Sequence, residues 1–140
     1  MAYATISQRQ TPCFRALIAT EDGTLFDPEN DLATAEQLVE EGIDLPPCSF
    51  SVFRSESEIY YTTTGNATSV AGYQNVEIDP ADALINPETV EEDELDYNFS
   101  FVPESRATFP FTSPGVYFVD FTVYPKAGAA IVWRTPVTVK

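Results

Sequence analysis

The chain has 140 residues, of which 44% are hydrophobic and 13% aromatic, and its 22 acidic and 7 basic residues give a net charge of −15. This apolar content excludes a disordered chain and is enough for one domain with a single hydrophobic core. The negative charge opposes binding to nucleic acid and to anionic membranes, because both need clustered cations on the protein. It leaves open a role in solubility, a cationic partner, or mimicry of DNA.

The N-terminal residues 1–12 are predicted to be an arm, because they are polar and end at Thr11-Pro12. They lack the basic start and apolar stretch of a signal peptide. The domain is predicted to cover residues 13–140. No apolar run in it approaches the ~20 residues that span a bilayer.

The first strand of the domain is predicted after Cys13, where Phe14, Ala16 and Ile18 alternate with Arg15, Leu17 and Ala19. Asp22-Gly23 is typical of a tight turn, since glycine accepts a positive φ. Leu25 and Phe26 are expected to return to the core.

One helix is predicted over about residues 31–41. Asp31 can cap it, and Glu36 places negative charge near its N-terminus, where the helix dipole favours it. Gly42 can end the helix in a left-handed conformation. The apolar residues at helical spacing form one stripe: Leu32, Ala35, Leu38 and Val39.

Further strands are indicated by alternation in the second half of the chain. The stretch CSFSVFR, residues 48–54, points Phe50 and Val52 inward, and YNFSFVP, residues 97–103, points Tyr97, Phe99 and Phe101 to one side. Val76 and Ile78 predict a short strand. An acidic loop surrounds the stretch EEDELD, residues 91–96.

The most regular alternation lies in TSPGVYFVDFTVYP, residues 112–125. Its odd positions form an unbroken apolar row predicted to face the core: Tyr117, Val119, Phe121 and Val123. Phe118 and Tyr124 point to the other face, where exposed aromatic side chains often mark an interface. A partner strand follows in AAIVWRTPVTVK, residues 129–140, with Trp133 in phase with the core and Pro136 as an interruption.

Six or more short strands with regular turn signals and one helix at about 31–41 predict a mainly β fold, a β-sandwich. The C-terminal stretch TFPFTSPGVYFVDFTVYPKAGAAIVWRTPVTVK resembles the closing hairpin of immunoglobulin-like modules of the polycystic kidney disease repeat type, which implies an Ig-like β-sandwich with one short inserted helix.

Over residues 14–139 the chain is more similar to a bacteriophage variant of that sandwich, found in baseplate, tail and capsid-decoration proteins. The similarity lies in EDGTLFDPENDLATA, in CSFSVFR and in the C-terminal hairpin. The helix and the acidic loop depart from the pattern. Such modules have no catalytic residues to transfer, so the resemblance implies a scaffold that docks onto other virion proteins.

Catalytic chemistry is not indicated by the sequence. The chain has no histidine, which excludes Ser-His-Asp and Cys-His nucleophiles and most transition-metal sites. Cys13 and Cys48 lack metal-binding spacing, and they could form a disulfide or stay free. We therefore expect no enzyme, no cofactor and no metal.

Two acidic segments contain oxygen ligands that calcium could use. They are DPEND, residues 27–31, and EEDELD. A turn with a helix cap and a solvated loop are the favoured interpretations. Asn66-Ala67-Thr68 and Asn98-Phe99-Ser100 match the glycosylation sequon, but the sequence gives no secretory context for either.

The sequence thus favours a non-enzymatic phage virion protein, a small capsid decoration or tail-associated protein assembled in the host cytoplasm. Its partners would be other virion proteins, in a homo-oligomer or on a lattice, with no nucleic acid and no membrane. The predicted partner contacts are Ala2, Tyr3 and Ile6 of the arm, together with Phe118, Tyr124 and Trp133. The alternatives are an extracellular bacterial Ig-like module that binds carbohydrate or protein, and a DNA mimic.

Overall fold

The computed structural model describes residues 4–6, 13–55, 67–85, 97–102, 111 and 113–139. Its strands and helices follow in chain order: β1 (Ala4–Ile6), β2 (Phe14–Ala16), α1 (Ala35–Glu40), β3 (Cys48–Ser55), β4 (Ala67–Ser69), β5 (Val76–Glu77), α2 (Pro80–Ala83), β6 (Phe99–Phe101), β7 (Gly115–Val123) and β8 (Ile131–Val139). Neither helix in this part of the chain is long and apolar enough to cross a membrane.

Two sheets form a sandwich, which confirms the predicted fold class. The larger sheet has the order β1-β8-β7-β3-β4, with β5 also paired to β3, and the smaller consists of β2 and β6. In the letters used for immunoglobulin domains, β8-β7-β3 correspond to the G-F-C sheet, and β2 and β6 correspond to strands B and E of the facing sheet.

The β7–β8 hairpin is the centre of the larger sheet. Its register runs over nine residue pairs, from Gly115↔Val139 to Val123↔Ile131. The odd-numbered row of β7 is buried as predicted. The predicted interruption at Pro136 is wrong, because β8 continues through this residue, which pairs with Phe118. A proline fits a strand where its nitrogen faces an edge rather than a partner.

Part of the predicted arm belongs to the sheet. Residues Ala4–Ile6 pair in parallel with Val137–Val139 at the edge of β8. The other residues of the arm, including Ala2 and Tyr3, lie outside the described residues. The domain boundary predicted at residue 13 therefore does not separate the arm completely from the sandwich.

The predicted helix is present, but it begins at Ala35 rather than near Asp31. Thr34 is the N-cap: its hydroxyl accepts from the Gln37 amide at 3.2 Å, and the Gln37 side chain accepts from the Thr34 amide at 2.9 Å. This reciprocal pair satisfies two helix-end donors. Asp31 instead accepts from the amides of Asp27 and Lys126, through its side chain and its carbonyl respectively. Those bonds hold it in the turn that precedes the helix.

Aromatic rings fill the space between the sheets. The ring centroid of Phe121 in β7 lies 5.2 Å from that of Phe14, 5.1 Å from that of Phe99 and 5.4 Å from that of Trp133. Phe121 and Phe99 are fully buried. The contacts with Phe14 and Phe99 are edge-to-face and the contact with Trp133 is stacked, and both arrangements stabilise a core beyond the burial of area alone.

Candidate functional site

An open cleft of about 760 Å³ lies between the two sheets on the side of β2 and β8. Residues 15–19 form one wall, Ile131 and residues 133–135 of β8 form the other, and Tyr97 completes the lining. A concave site of this volume with apolar and aromatic walls is the common form of a ligand-binding site.

Each wall of the cleft contains consecutive residues. Side chains of a strand alternate between its two faces, so a wall made from one face would contain every second residue only. Residues 133–135 of β8 are consecutive, which indicates that the edge of this strand borders the cleft, whereas residues 17–19 of the other wall follow the end of β2.

Trp133 is the central aromatic residue of this site. Its ring stacks on Phe121 at an interplanar angle of 23° and meets Phe99 edge-on, with centroids 4.9 Å apart. These contacts fix its inner side, and the half-buried ring also lines the cleft. The sequence placed Trp133 in phase with the core, which these ring contacts confirm, and also among the contact aromatics, which stays a prediction.

Two arginines line the cleft, and only one of them is paired with a described carboxylate. Arg134 donates to both carboxylate oxygens of Asp120, at 2.6 and 2.9 Å, and this hydrogen bonding raises the pKa of Arg134. Arg15 lies over the Tyr97 ring, 4.5 Å from its centroid, and forms no ion pair with any described residue. No described acidic residue lines the cleft.

The structure overturns one predicted contact residue. Phe118 is on the outer face of the larger sheet as predicted, but it is fully buried rather than exposed. The Arg134 guanidinium lies over its ring, 4.9 Å from the centroid, and Phe53 and Pro136 are its neighbours across the strands. A long side chain can cover apolar surface while its charged end is paired elsewhere.

The other predicted contacts do not converge with Trp133. Tyr124 is half-buried, and its backbone amide and carbonyl bond Pro47 and Ala33, both at 2.9 Å. Ile6 lies in β1, whose side chains are not described. Among the predicted contact residues that the structure describes, only Trp133 lines the cleft.

The DPEND segment is a turn, in agreement with the favoured interpretation. The buried Asp27 carboxylate accepts from the Glu29 amide at 2.9 Å and from the Asn30 side chain at 2.7 Å. Its oxygens are therefore already satisfied by protein donors. Within the described ranges no three acidic, histidine or cysteine side chains are grouped to hold a metal ion. The EEDELD segment lies outside the described residues.

Both cysteines are free thiols, which decides the alternative that the sequence left open. Cys13 is exposed, with its Sγ 3.8 Å from the Ser100 Oγ. Cys48 is buried in the core, and this burial raises the pKa of its thiol to about 12. The sequon at Asn98 is also not available for modification in the folded state, because Asn98 is only 1% exposed.

Of the residues that line the cleft, only Trp133 was predicted as a contact from the sequence. Arg15, Leu17 and Tyr97 are among those that were not. Leu17 is 56% exposed, but a single exposed leucine is common on protein surfaces and does not indicate a site. Arg15 and Tyr97 have no local sequence pattern that indicates a site, because they become part of one only when the fold brings β2 and β8 together.

The chain is thus an Ig-like β-sandwich with an open cleft between the edge of β8 and residues 15–19. Comparison with protein-family models, with curated proteins and with solved structures found no match for it.

Proposed function

We propose that this chain is a non-enzymatic structural protein of a phage virion, a small capsid decoration or tail-associated protein that docks passively onto other virion proteins. The observation that carries the proposal is the β7–β8 hairpin. Its sequence resembles the closing hairpin of immunoglobulin-like modules and is one of the three stretches in which the chain is similar to the phage sandwich, and it forms a continuous nine-pair hairpin in the larger sheet.

The buried polar side chains bond groups of the protein itself, which supports a role as a scaffold. Asp27 and Asn98 are both more than nine-tenths buried, and each bonds nearby protein donors or acceptors. Buried polar side chains that are satisfied in this way specify a single fold. Docking would therefore use surface side chains and the exposed edges of strands, onto which a partner segment can add.

The test is incorporation into particles. Purified protein is mixed with particles assembled from the capsid and tail genes of the same genome, and bound protein is measured after pelleting. Light scattering gives the mass of the free protein. Saturating uptake at a fixed ratio to a lattice protein is the expected result. No uptake by either capsids or tails would contradict the proposal.

The role of the arm is tested by two variants. Deletion of residues 1–11 removes the predicted contacts Ala2, Tyr3 and Ile6, but it also removes β1 from the edge of β8, so its thermal unfolding must be measured as well. The double variant Ala2→Ser, Tyr3→Ser leaves β1 in place. We expect both variants to lose uptake. Full uptake by the double variant would exclude these two residues as contacts.

A second candidate function is an extracellular Ig-like module that binds carbohydrate, and the cleft is the observation that favours it. Trp133 and Tyr97 are of the residue types on which sugar rings stack, and both line the cleft. Trp133 is the only tryptophan, so its fluorescence reports directly on this site. A saturable change with one class of oligosaccharide, together with no uptake by particles, would favour this function.

A further inference from the structure

Among the described residues, the edge of β8 is covered only in part. Within the described residues, β1 pairs with positions 137–139 of this edge and with no others. Ile131 and residues 133–135 line the cleft instead, opposite residues 15–19 on the β2 side. An uncovered strand edge is a template onto which another extended chain can add.

The residues that line the cleft determine the kind of partner segment that it could bind. Trp133 and the exposed Leu17 supply apolar surface. Arg15 supplies a cation that no described acidic residue neutralises, in a chain of net charge −15. A partner segment with alternating apolar side chains and a carboxylate complements both features. A cationic segment would be attracted by the rest of the surface but not by this site.

We propose that the cleft between β2 and β8 binds an extended, acidic segment of a partner protein, which adds as a strand along residues 131–135 of β8. Its apolar side chains pack against Trp133 and Leu17, and a carboxylate pairs with Arg15. This inference rests on the proposed docking function and identifies the segment chemistry that the site accepts.

The test uses the full chain and three synthetic ten-residue peptides. The first alternates valine with threonine and carries two glutamates in place of threonines. The second carries two lysines at the same positions. The third is the acidic peptide with its central backbone nitrogens methylated, which removes the donors that a β-ladder needs. Binding is followed by Trp133 fluorescence and by amide chemical shifts.

The expected result is saturable binding of the acidic peptide, about tenfold tighter than that of the lysine peptide at about 0.15 M salt, where the long-range effect of the net charge is screened. The methylated peptide should not bind. Shifts should be concentrated at residues 15–19 and 131–135. Equal binding of the methylated peptide, no binding of the acidic peptide, or shifts confined to other strands would each overturn the proposal.

A matched pair of variants locates the site. Leu17 is 56% exposed inside the cleft, and Val39 of α1 is 71% exposed and does not line the cleft. Leu17→Glu should abolish binding of the acidic peptide, whereas Val39→Glu should leave it unchanged. Arg15→Gln should remove the preference for the acidic peptide over the lysine peptide. Equal effects at positions 17 and 39 would show that binding is not in the cleft.

Other occupants are distinguished by the same measurements. A Trp133 response to an acidic oligosaccharide but to none of the peptides would make the cleft a carbohydrate site and overturn the inference. Concentration-dependent dimerisation that Leu17→Glu abolishes would assign the cleft to a second copy of the chain and overturn it as well. Failure of peptide binding with normal uptake into particles would leave the proposed function standing.

Discussion

Asn98 bonds both backbone groups of Ile18. The Ile18 amide donates to Oδ1 of Asn98, and the Asn98 side-chain amide donates to the Ile18 carbonyl, both at 2.7 Å. Ile18 lies just beyond β2, and the Asn98 backbone amide donates to Ala16 at 3.1 Å. The asparagine side chain thus extends the pairing between the β2 and β6 segments by one step, at a buried position that also borders the cleft.

Replacing Asn98 with alanine should therefore be costly. The change leaves the amide and carbonyl of the buried Ile18 without the Asn98 side chain, and each lost partner in such a site costs about 1–3 kcal/mol. The carbonyl keeps a bond from the Phe26 amide at 3.1 Å, so we expect a total of about 3 kcal/mol. The measurement is urea denaturation of the purified variant.

Ser100→Ala is the matched control for that experiment. It destroys the same Asn98-Phe99-Ser100 sequon, but among the described residues the Ser100 side chain has only the 3.8 Å contact with the Cys13 sulfur. Its free energy of unfolding should stay within about 0.5 kcal/mol of the parent. Similar losses in the two variants would show that the bonds to Ile18 add little stability.

The sequence predicted the strands well where one face is buried. In β7 the period-two row from Tyr117 to Val123 is sufficient to assign a strand, since no helix would bury all four residues. The helix start was predicted less well, because Asp31 and Thr34 are both good N-caps and local chemistry does not choose between them. The tertiary bond from Lys126 to Asp31 places Asp31 outside the helix.

The candidate site could not be predicted from the sequence for a different reason. Its walls come from residues 15–19 and from Ile131 and residues 133–135, at opposite ends of the chain, and their juxtaposition is a consequence of sheet topology. The local sequence pattern also failed to predict the burial of Phe118. Period-two alternation assigns it correctly to the outer face, but whether that face is open depends on Arg134 from the neighbouring strand.

The ion pair on that outer face gives a second prediction. Asp120→Asn removes the charge that pairs with Arg134, and we expect a loss of about 1 kcal/mol for this partly exposed pair. Arg134→Ala also uncovers the rings of Phe118 and Phe53, so the expected loss is larger, about 2 kcal/mol. Urea denaturation in low and high salt measures both.

Salt distinguishes the two contributions in those variants. The part due to the ion pair should diminish at 1 M salt, where screening is strong, while the part due to covering of Phe118 should persist. Arg134→Met, which keeps much of the apolar stem, should recover part of the Arg134→Ala loss. Equal losses in Asp120→Asn and Arg134→Ala would indicate that covering Phe118 contributes nothing.

The turn at Asp22 gives a prediction in acid. Hydrogen bonds from the hydroxyls of Thr20 and Thr24, in that order, lower the pKa of Asp22 from 3.8 to about 2. Because the folded pKa is depressed, this carboxylate stabilises the turn above pH 3.8, and the contribution is lost as the pH falls through about 2.

An NMR titration of the Asp22 carboxyl measures that pKa directly. Thr20→Val removes the largest contribution and should move the midpoint upward, towards 3.8. Thr24→Val should move it less, because the Thr24 backbone amide still donates to Asp22 at 3.1 Å. A parent midpoint that is the same as in the Thr20→Val variant would refute the assignment.

The buried thiol of Cys48 gives a prediction in alkali. Burial raises the pKa of Cys48 from 9.0 to about 12, so between these values the unfolded chain loses the thiol proton and the folded chain keeps it. The unfolded state then binds fewer protons, and the free energy of unfolding must fall as the pH rises. The loss attributable to Cys48 is about 1.4 kcal/mol per pH unit above pH 9.

Urea denaturation at pH 8, 9 and 10 tests this dependence on the full chain. Cys48→Ala should lower the free energy of unfolding at pH 8, because it creates a cavity. Between pH 8 and pH 10 its free energy of unfolding should fall less steeply than that of the parent, since the variant lacks the buried thiol. Cys13→Ala keeps the buried thiol and should retain the parent's slope. Equal slopes in all three proteins would mean that the core does not protect Cys48. A thiol reagent at pH 8 provides an independent readout, since it should modify Cys13 in the folded parent and both cysteines only after unfolding.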